Sequence, residues 1–172
     1  EIDASQDLYI AYIQTGDAQI DSTTREGLEV LSAALNIRTS AEPAGVVSVN
    51  PERDTLAFFP LIYWPITSSQ PEPSTEAIRN LQNYIDHGGT ILVDTRQGSA
   101  RSEDLRRLMG DLNVPPLAKI SDDHVLTRTF YLLDSFPGRF ENADLWVENQ
   151  NTNDRDGVSS IILGGNDSVS YT

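Results

Sequence analysis

Short apolar runs of strand length alternate with helix-length segments, and this alternation constrains the fold more than any other feature. LYIAYI at 8–13, AGVVSV at 44–49 and TILVD at 90–94 are such runs, and LAFFPLIYW at 56–64 is a further one that Pro60 must break or bend. TILVD has almost no polar alternation, which is typical of a parallel strand covered by helices on both faces. The pattern predicts an α/β domain, a three-layer Rossmann-like or flavodoxin-like sandwich with a mostly parallel sheet.

The intervening segments carry helical spacing and capping signals. Thr23 and Glu26 form a capping-box pattern, so the first helix is predicted to begin there. Its predicted core stripe is Gly27, Leu28, Leu31, Ala34 and Leu35.

Two later helices have clearer start and stop signals. Pro73 and Ser74 predict the start of a helix that runs through residue 86, and Gly88 predicts its end. Ser102 predicts the cap of a third helix that Pro115-Pro116 ends. The residues predicted to share the core face of this third helix are Leu105, Leu108, Met109 and Leu112.

After Ala118 the pattern is looser. DLWVENQNTNDRDG is predicted to be a loop-rich hairpin or insertion, and VSSIILGG at 158–165 is predicted to be a buried strand. The sequence has 172 residues and no repeat or linker that divides it, so residues 1–172 are predicted to form a single α/β domain.

Charge and composition exclude several classes of function. The chain has 26 acidic and 12 basic residues, a net charge of −14, which repels nucleic acid and anionic lipid. It has no cysteine, which excludes thiolate catalysis and cysteine-ligated zinc. QTGDAQ after the first strand lacks the spaced glycines of a nucleotide-binding loop, so no cofactor is predicted.

Polar and aromatic residues follow the predicted strands at the edge where α/β proteins bind ligands. DDHVLTRTFY adds an imidazole, an arginine and a phenol within ten residues. These loops form either a ligand pocket or ordinary turns. The residues predicted to line the pocket rim are Thr15, Asp17, Tyr63, Trp64, Asp94, Thr95, Arg96, His124, Arg128, Tyr131, Asn166 and Asp167.

No complete catalytic set can be assembled from the sequence. LVDTRQGS places Asp94, Thr95 or Arg96 at the bend where a hydrolase of this class carries its nucleophile, but the flanking glycines are missing. The alternative to a binding role is a hydrolase of sugar or peptide fragments that uses Asp94 with His124 or Arg128. Arg128 is expected to pair with a carboxylate such as Asp94 or to meet an anionic ligand.

No metal site is predicted. Asp122, Asp123 and His124 are adjacent, so their side chains diverge and cannot all face one ion. NQNTNDRDG is rich in oxygen ligands, but it lacks the spacing of an EF-hand calcium loop.

Several motifs together resemble an uncharacterised bacterial family of domains of unknown function. They are LYIAYIQTGD, LAFFPLIYWPI, HGGTILVDTR, DHVLTRTFYLL, FPGR, LWVE and DGVSSIILGGND, which cover nearly the whole chain. In that family the domain is the C-terminal part of large membrane proteins whose N-terminal region resembles that of the Bat aerotolerance regulators. One departure is Ser168, where the family pattern leads us to expect tryptophan.

The resemblance implies a fold similar to class I glutamine-amidotransferase-like domains, in a non-catalytic form. Glutaminase chemistry cannot be transferred, because that chemistry needs a cysteine and this chain has none. It also implies that this domain is part of a larger membrane-anchored protein of the bacterial envelope, associated with the inner membrane. The periplasmic side is favoured over the cytoplasmic side.

The sequence thus predicts a non-enzymatic domain that binds a ligand or a protein. The expected partner is an unidentified small molecule or protein, and nucleic acid is excluded by charge. Contact with the membrane is expected only through segments outside this chain.

Overall fold

The described residues fold as a mixed α/β domain around a sheet of seven strands. The computed structural model describes residues 7–96, 102–120, 126, 144–149, 159–165, 167 and 169. Within them, no helix combines the length and the apolar character that crossing a bilayer requires.

The sheet is mostly parallel, as predicted. Its strands are β1 (Leu8–Ile13), β2 (Pro43–Val49), β3 (Leu61–Pro65), β4 (Thr90–Asp94), β5 (Leu117–Lys119), β6 (Trp146–Glu148) and β7 (Ile161–Gly164). They lie in the order β2-β1-β3-β4-β7-β6-β5. Neighbours from β2 to β7 in this order are parallel, whereas β6 is antiparallel to both β7 and β5.

Three α-helices lie wholly within the described residues: α1 (Ala18–Arg38), α2 (Thr75–Asp86) and α3 (Ser102–Met109). The predicted start of α1 at Thr23 is wrong, because Asp17 is the N-cap. The Asp17 carboxylate accepts from the backbone N–H groups of Gln19 and Ile20, at 3.0 and 3.2 Å. Thr23 lies inside the helix, where its hydroxyl donates to the carbonyl oxygen of Gln19 at 2.9 Å.

The buried face of α1 differs in part from the predicted stripe. Gly27 and Leu28 are buried as predicted, but Leu31 is 41% exposed. The buried residues of α1 are Thr24, Gly27, Leu28 and Ser32. Glycine fits at position 27 because the backbone of Val169 lies directly against it.

The signals for α2 and for the break at Pro60 are confirmed. The Ser74 hydroxyl accepts from the backbone N–H of Ala77 at 3.2 Å, and Gly88 has a φ of +92° just after the helix. The run at 56–64, which Pro60 was predicted to break or bend, is broken into a 3-10 turn at Leu56–Phe58 and β3. The strand predicted at 158–165 is the shorter β7.

Two core clusters lie on opposite faces of the sheet, because neighbouring residues of a strand alternate in direction. One cluster contains Ile62, Trp64 and Val93, packed with the buried side chains of α2 and α3. The other contains Tyr63 with Leu28 of α1. Helices therefore cover both faces, and the carboxyl ends of β1, β3, β4 and β7 meet at one edge.

Candidate functional site

Asp94 is the centre of a buried polar cluster at the carboxyl edge of the sheet. It is the last residue of β4 and is 2% exposed. One carboxylate oxygen, Oδ2, accepts from the Tyr63 hydroxyl at 3.1 Å. The other, Oδ1, accepts from the backbone N–H groups of Arg96 at 2.8 Å and Asp167 at 3.2 Å. Asp94 thus joins β3 to the loops that follow β4 and β7.

Arg96 and Asp167 form an ion pair across the same two loops. Arg96 Nε donates to Asp167 Oδ1 at 3.3 Å, and the two side chains are 19% and 1% exposed. Both residues have left-handed backbones, with φ of 57° and 52°. This conformation is unfavourable for residues other than glycine, and it persists only where the surroundings hold it. The bonds from both backbone N–H groups to Asp94 provide that restraint.

Tyr63 is held as a protonated hydrogen-bond donor. Burial raises the pKa of its hydroxyl well above the ordinary value, and the negative charge of Asp94 and the hydrogen bond to it raise the pKa further. The phenol is therefore protonated at neutral pH and donates its hydrogen bond to the Asp94 carboxylate.

Thr95 completes the link between the two loops. Its backbone N–H donates to the carbonyl oxygen of Gly164 at 3.0 Å, which extends the β4–β7 ladder by one bond. Its side-chain hydroxyl donates to the same oxygen at 3.4 Å. Thr95 is buried, and its two hydrogen bonds to Gly164 join the loops that follow β4 and β7.

Thr15 and Asp17 organise the turn between β1 and α1. The Thr15 hydroxyl donates to Asp21 Oδ1 at 2.8 Å and accepts from the backbone N–H of Asp17 at 3.1 Å. Asp17 in turn caps α1. These contacts are local and do not join Thr15 or Asp17 to the cluster around Asp94.

Trp64 lies on the opposite face of the sheet from Tyr63 and is 2% exposed. Its indole N–H, at Nε1, is buried and has no acceptor among the described residues. A buried donor without a partner costs about 1–3 kcal/mol and is rare in folded proteins. Trp64 also lines a cavity of about 200 Å³.

Residues that the sequence did not predict at the pocket rim line this cavity with Trp64. They come from the ends of β1 and β2 and from the segment before α2, and they include Gln14, Asn50, Gln70, Glu72 and Ser74. The loop after β2 and the loop before Ser74, which carry these residues, both contain proline. Nothing in the sequence indicated that the two loops meet around Trp64.

Four of the predicted rim residues, His124, Arg128, Tyr131 and Asn166, lie outside the described residues. The expected pairing of Arg128 with Asp94 therefore stays a prediction. In the part of the chain that the structure describes, no group of three or more His, Cys, Asp or Glu residues could hold a metal ion.

Comparison with known proteins identifies a family. The family model described as "Domain of unknown function (DUF4159)" matches residues 9–171. A search of curated proteins finds no match. Among solved structures, the chain is similar to one described as "mmIFT52 N-terminal domain", with 11% identity and a TM-score of 0.48. That likeness covers 94% of this chain and 87% of the other.

Proposed function

Since the chain belongs to the DUF4159 family of domains of unknown function, we propose that it is a non-enzymatic domain that binds a ligand or protein. The membership agrees with one part of the resemblance, that the chain is a domain of unknown function. The binding site lies at the carboxyl edge of the parallel strands, where α/β folds bind their ligands.

The observation that carries this proposal is the coordination of Asp94. Its two carboxylate oxygens accept from the Tyr63 hydroxyl and from the backbone N–H groups of Arg96 and Asp167. A general base or nucleophile needs an oxygen directed at the substrate, within about 3 Å of the reacting atom. Asp94 instead uses its oxygens to hold two loops, which favours a structural role for the acid that is best placed for chemistry.

From the strand order, we propose that the fold is flavodoxin-like. The parallel part runs β2-β1-β3-β4-β7, which has the pattern of the flavodoxin-like order 2-1-3-4-5 with β7 in the last place. Helices on both faces support a three-layer sandwich. This arrangement is compatible with a single domain similar to the non-catalytic relatives of class I glutamine-amidotransferase-like domains.

The cellular context is proposed from the family resemblance alone. The domain is part of a larger membrane-anchored protein of the bacterial envelope, with a Bat-like region before it and the anchor in segments outside this chain. The partner is a small molecule or a protein, and the net charge of −14 argues against nucleic acid.

Turnover assays with matched variants test the non-enzymatic role against the hydrolase alternative. We would assay the wild-type chain, Asp94→Asn and Asp17→Asn with chromogenic esters, glycosides and peptides. Asp17→Asn is the control, because asparagine caps a helix as well as aspartate does. We expect no multiple turnover by any of the three. Multiple turnover by the wild type and by Asp17→Asn that Asp94→Asn lacks would contradict the proposal.

A further inference from the structure

The cavity beside Trp64 lies where three parallel strands end. Ile13, Val49 and Trp64 come from β1, β2 and β3, and Ser74 caps α2 on the far side. Its volume of about 200 Å³ is below the roughly 300–1,000 Å³ of pockets for drug-sized ligands. The cavity therefore fits a molecule of about one ring.

The indole N–H of Trp64 is the feature that points to a ligand. Less than 1 Å² of Nε1 is exposed, and no described residue accepts its hydrogen bond. Buried indole N–H groups in proteins normally have an acceptor. Trp64 lines the cavity, and an oxygen of a molecule bound there would accept this bond once the groups that cover Nε1 have moved.

The lining selects against charged ligands. Its floor is apolar, formed by side chains such as Ile13 and Leu108, which disfavours a strongly hydrated ion. Glu52 and Glu72 are exposed at the rim, and none of the described lining residues is Lys or Arg, so an anion is repelled.

The remaining polar groups of the rim suit hydroxyl groups. The amides of Gln14 and Asn50 both donate and accept hydrogen bonds, and the carboxylates of Glu52 and Glu72 accept them. A ring that has one apolar face and several hydroxyl groups matches an apolar floor below such a rim.

We propose that this cavity binds a small neutral polyhydroxyl molecule of the size of one sugar ring, with an oxygen that accepts from the Trp64 indole N–H. The proposal rests on the binding function proposed above, and it assigns to that function a site and a ligand class. Trp64 is the specificity residue, and Glu52 and Glu72 exclude anionic analogues.

Nuclear magnetic resonance of the two indole groups tests the proposal directly. The chain has two tryptophans, so Trp146→Phe assigns the two indole N–H signals. We would titrate the labelled chain with neutral monosaccharides (glucose, galactose, mannose and N-acetylglucosamine) and with glucose 6-phosphate as the anionic analogue. We expect a saturable shift of the Trp64 signal with at least one neutral sugar, and binding of the phosphate at least about tenfold weaker.

Three variants complete the experiment. Ala77→Leu fills the cavity and should abolish the shift, whereas Ala33→Leu, on the exposed face of α1, should leave it unchanged. Glu72→Lys changes an exposed side chain and should reduce the discrimination against glucose 6-phosphate. The Glu72 variant keeps the test valid if Ala77→Leu fails to fold.

The results that would contradict this inference differ from the results that would contradict the proposed function. No saturable shift of the Trp64 signal with any neutral sugar would overturn this inference, as would equal affinity for glucose 6-phosphate. Either result leaves the non-enzymatic binding role intact. Turnover that depends on Asp94 would overturn that role and would not by itself affect the result for the cavity.

Discussion

At the scale of single residues, two buried tyrosines hold the two ends of β4. The Tyr63 hydroxyl donates to Asp94 at the carboxyl end. The Tyr84 hydroxyl donates to the carbonyl oxygens of Phe59 at 2.8 Å and Thr90 at 3.2 Å at the amino end. Burial raises the pKa of Tyr84 to about 12. Both phenols must stay protonated for these bonds to persist.

We expect the free energy of unfolding to fall as pH rises above 10. An unfolded tyrosine loses its proton near the ordinary pKa of 10.0, whereas folded Tyr84 keeps it until about 12. Between these values the folded chain binds more protons, so stability decreases with pH. The Tyr84 contribution is at most about 1.4 kcal/mol per pH unit, a ceiling that solvent screening lowers.

Denaturant unfolding between pH 8 and about pH 12, with Tyr84→Phe as the comparison, measures this contribution. The variant should be less stable at neutral pH because it loses two hydrogen bonds, and its stability should fall less steeply above pH 10. Equal slopes for the variant and the wild type would contradict the assignment.

The position of Asp94 could be predicted from the sequence, but its role could not. The apolar run TILVD places an acid at the end of a strand. Its partners Tyr63 and Asp167 lie 31 and 73 residues away along the chain, and they meet it only because β3 and β7 flank β4. The same holds for Trp64. Strand alternation predicts that its side chain faces away from Tyr63, but the sequence does not predict which residues surround it.

At the scale of elements, local signals predicted a helix well when each end had its own capping residue. Ser74 and Gly88 bound α2 on both sides, and both act as expected. The start of α1 was missed because Asp17 belongs both to the turn that ends β1 and to the helix as its cap. The pattern of Thr23 and Glu26 also occurs within helices, so it gave a false start.

The contact between α1 and Val169 gives a second test at this scale. A Cβ added at Gly27 would lie 1.9 Å from the backbone oxygen of Val169. Gly27→Ala should therefore lower the free energy of unfolding by about 1–3 kcal/mol, even though alanine is favoured over glycine in helices by about 1 kcal/mol.

Gly45→Ala is the control for this test, because its Cβ would lie 3.5 Å from the Tyr9 ring, an ordinary contact. Urea unfolding at neutral pH should show little change for Gly45→Ala. A stabilised Gly27→Ala chain would mean that helix propensity alone decides the outcome and that Val169 does not pack there.

At the scale of the whole molecule, the last described strand of the chain lies inside the sheet. β7 pairs with β4 on one side and β6 on the other, so the loop after β7 reaches the loop after β4. The sequence predicted the parallel part from its long apolar runs. It did not predict the antiparallel extension, because β5 and β6 are only three residues each and pair across a long separation in the chain.

The central claim is that Asp94 holds this edge together and does not react. The most direct measurement is the free energy of unfolding of Asp94→Asn, with Asp17→Asn as the matched control. The neutral amide of Asp94→Asn would lose charge-assisted bonds to buried donors, so we predict a loss of about 1–3 kcal/mol against little change in the control. Unchanged or increased stability in Asp94→Asn, which is typical when a strained reactive residue is replaced, would contradict the account.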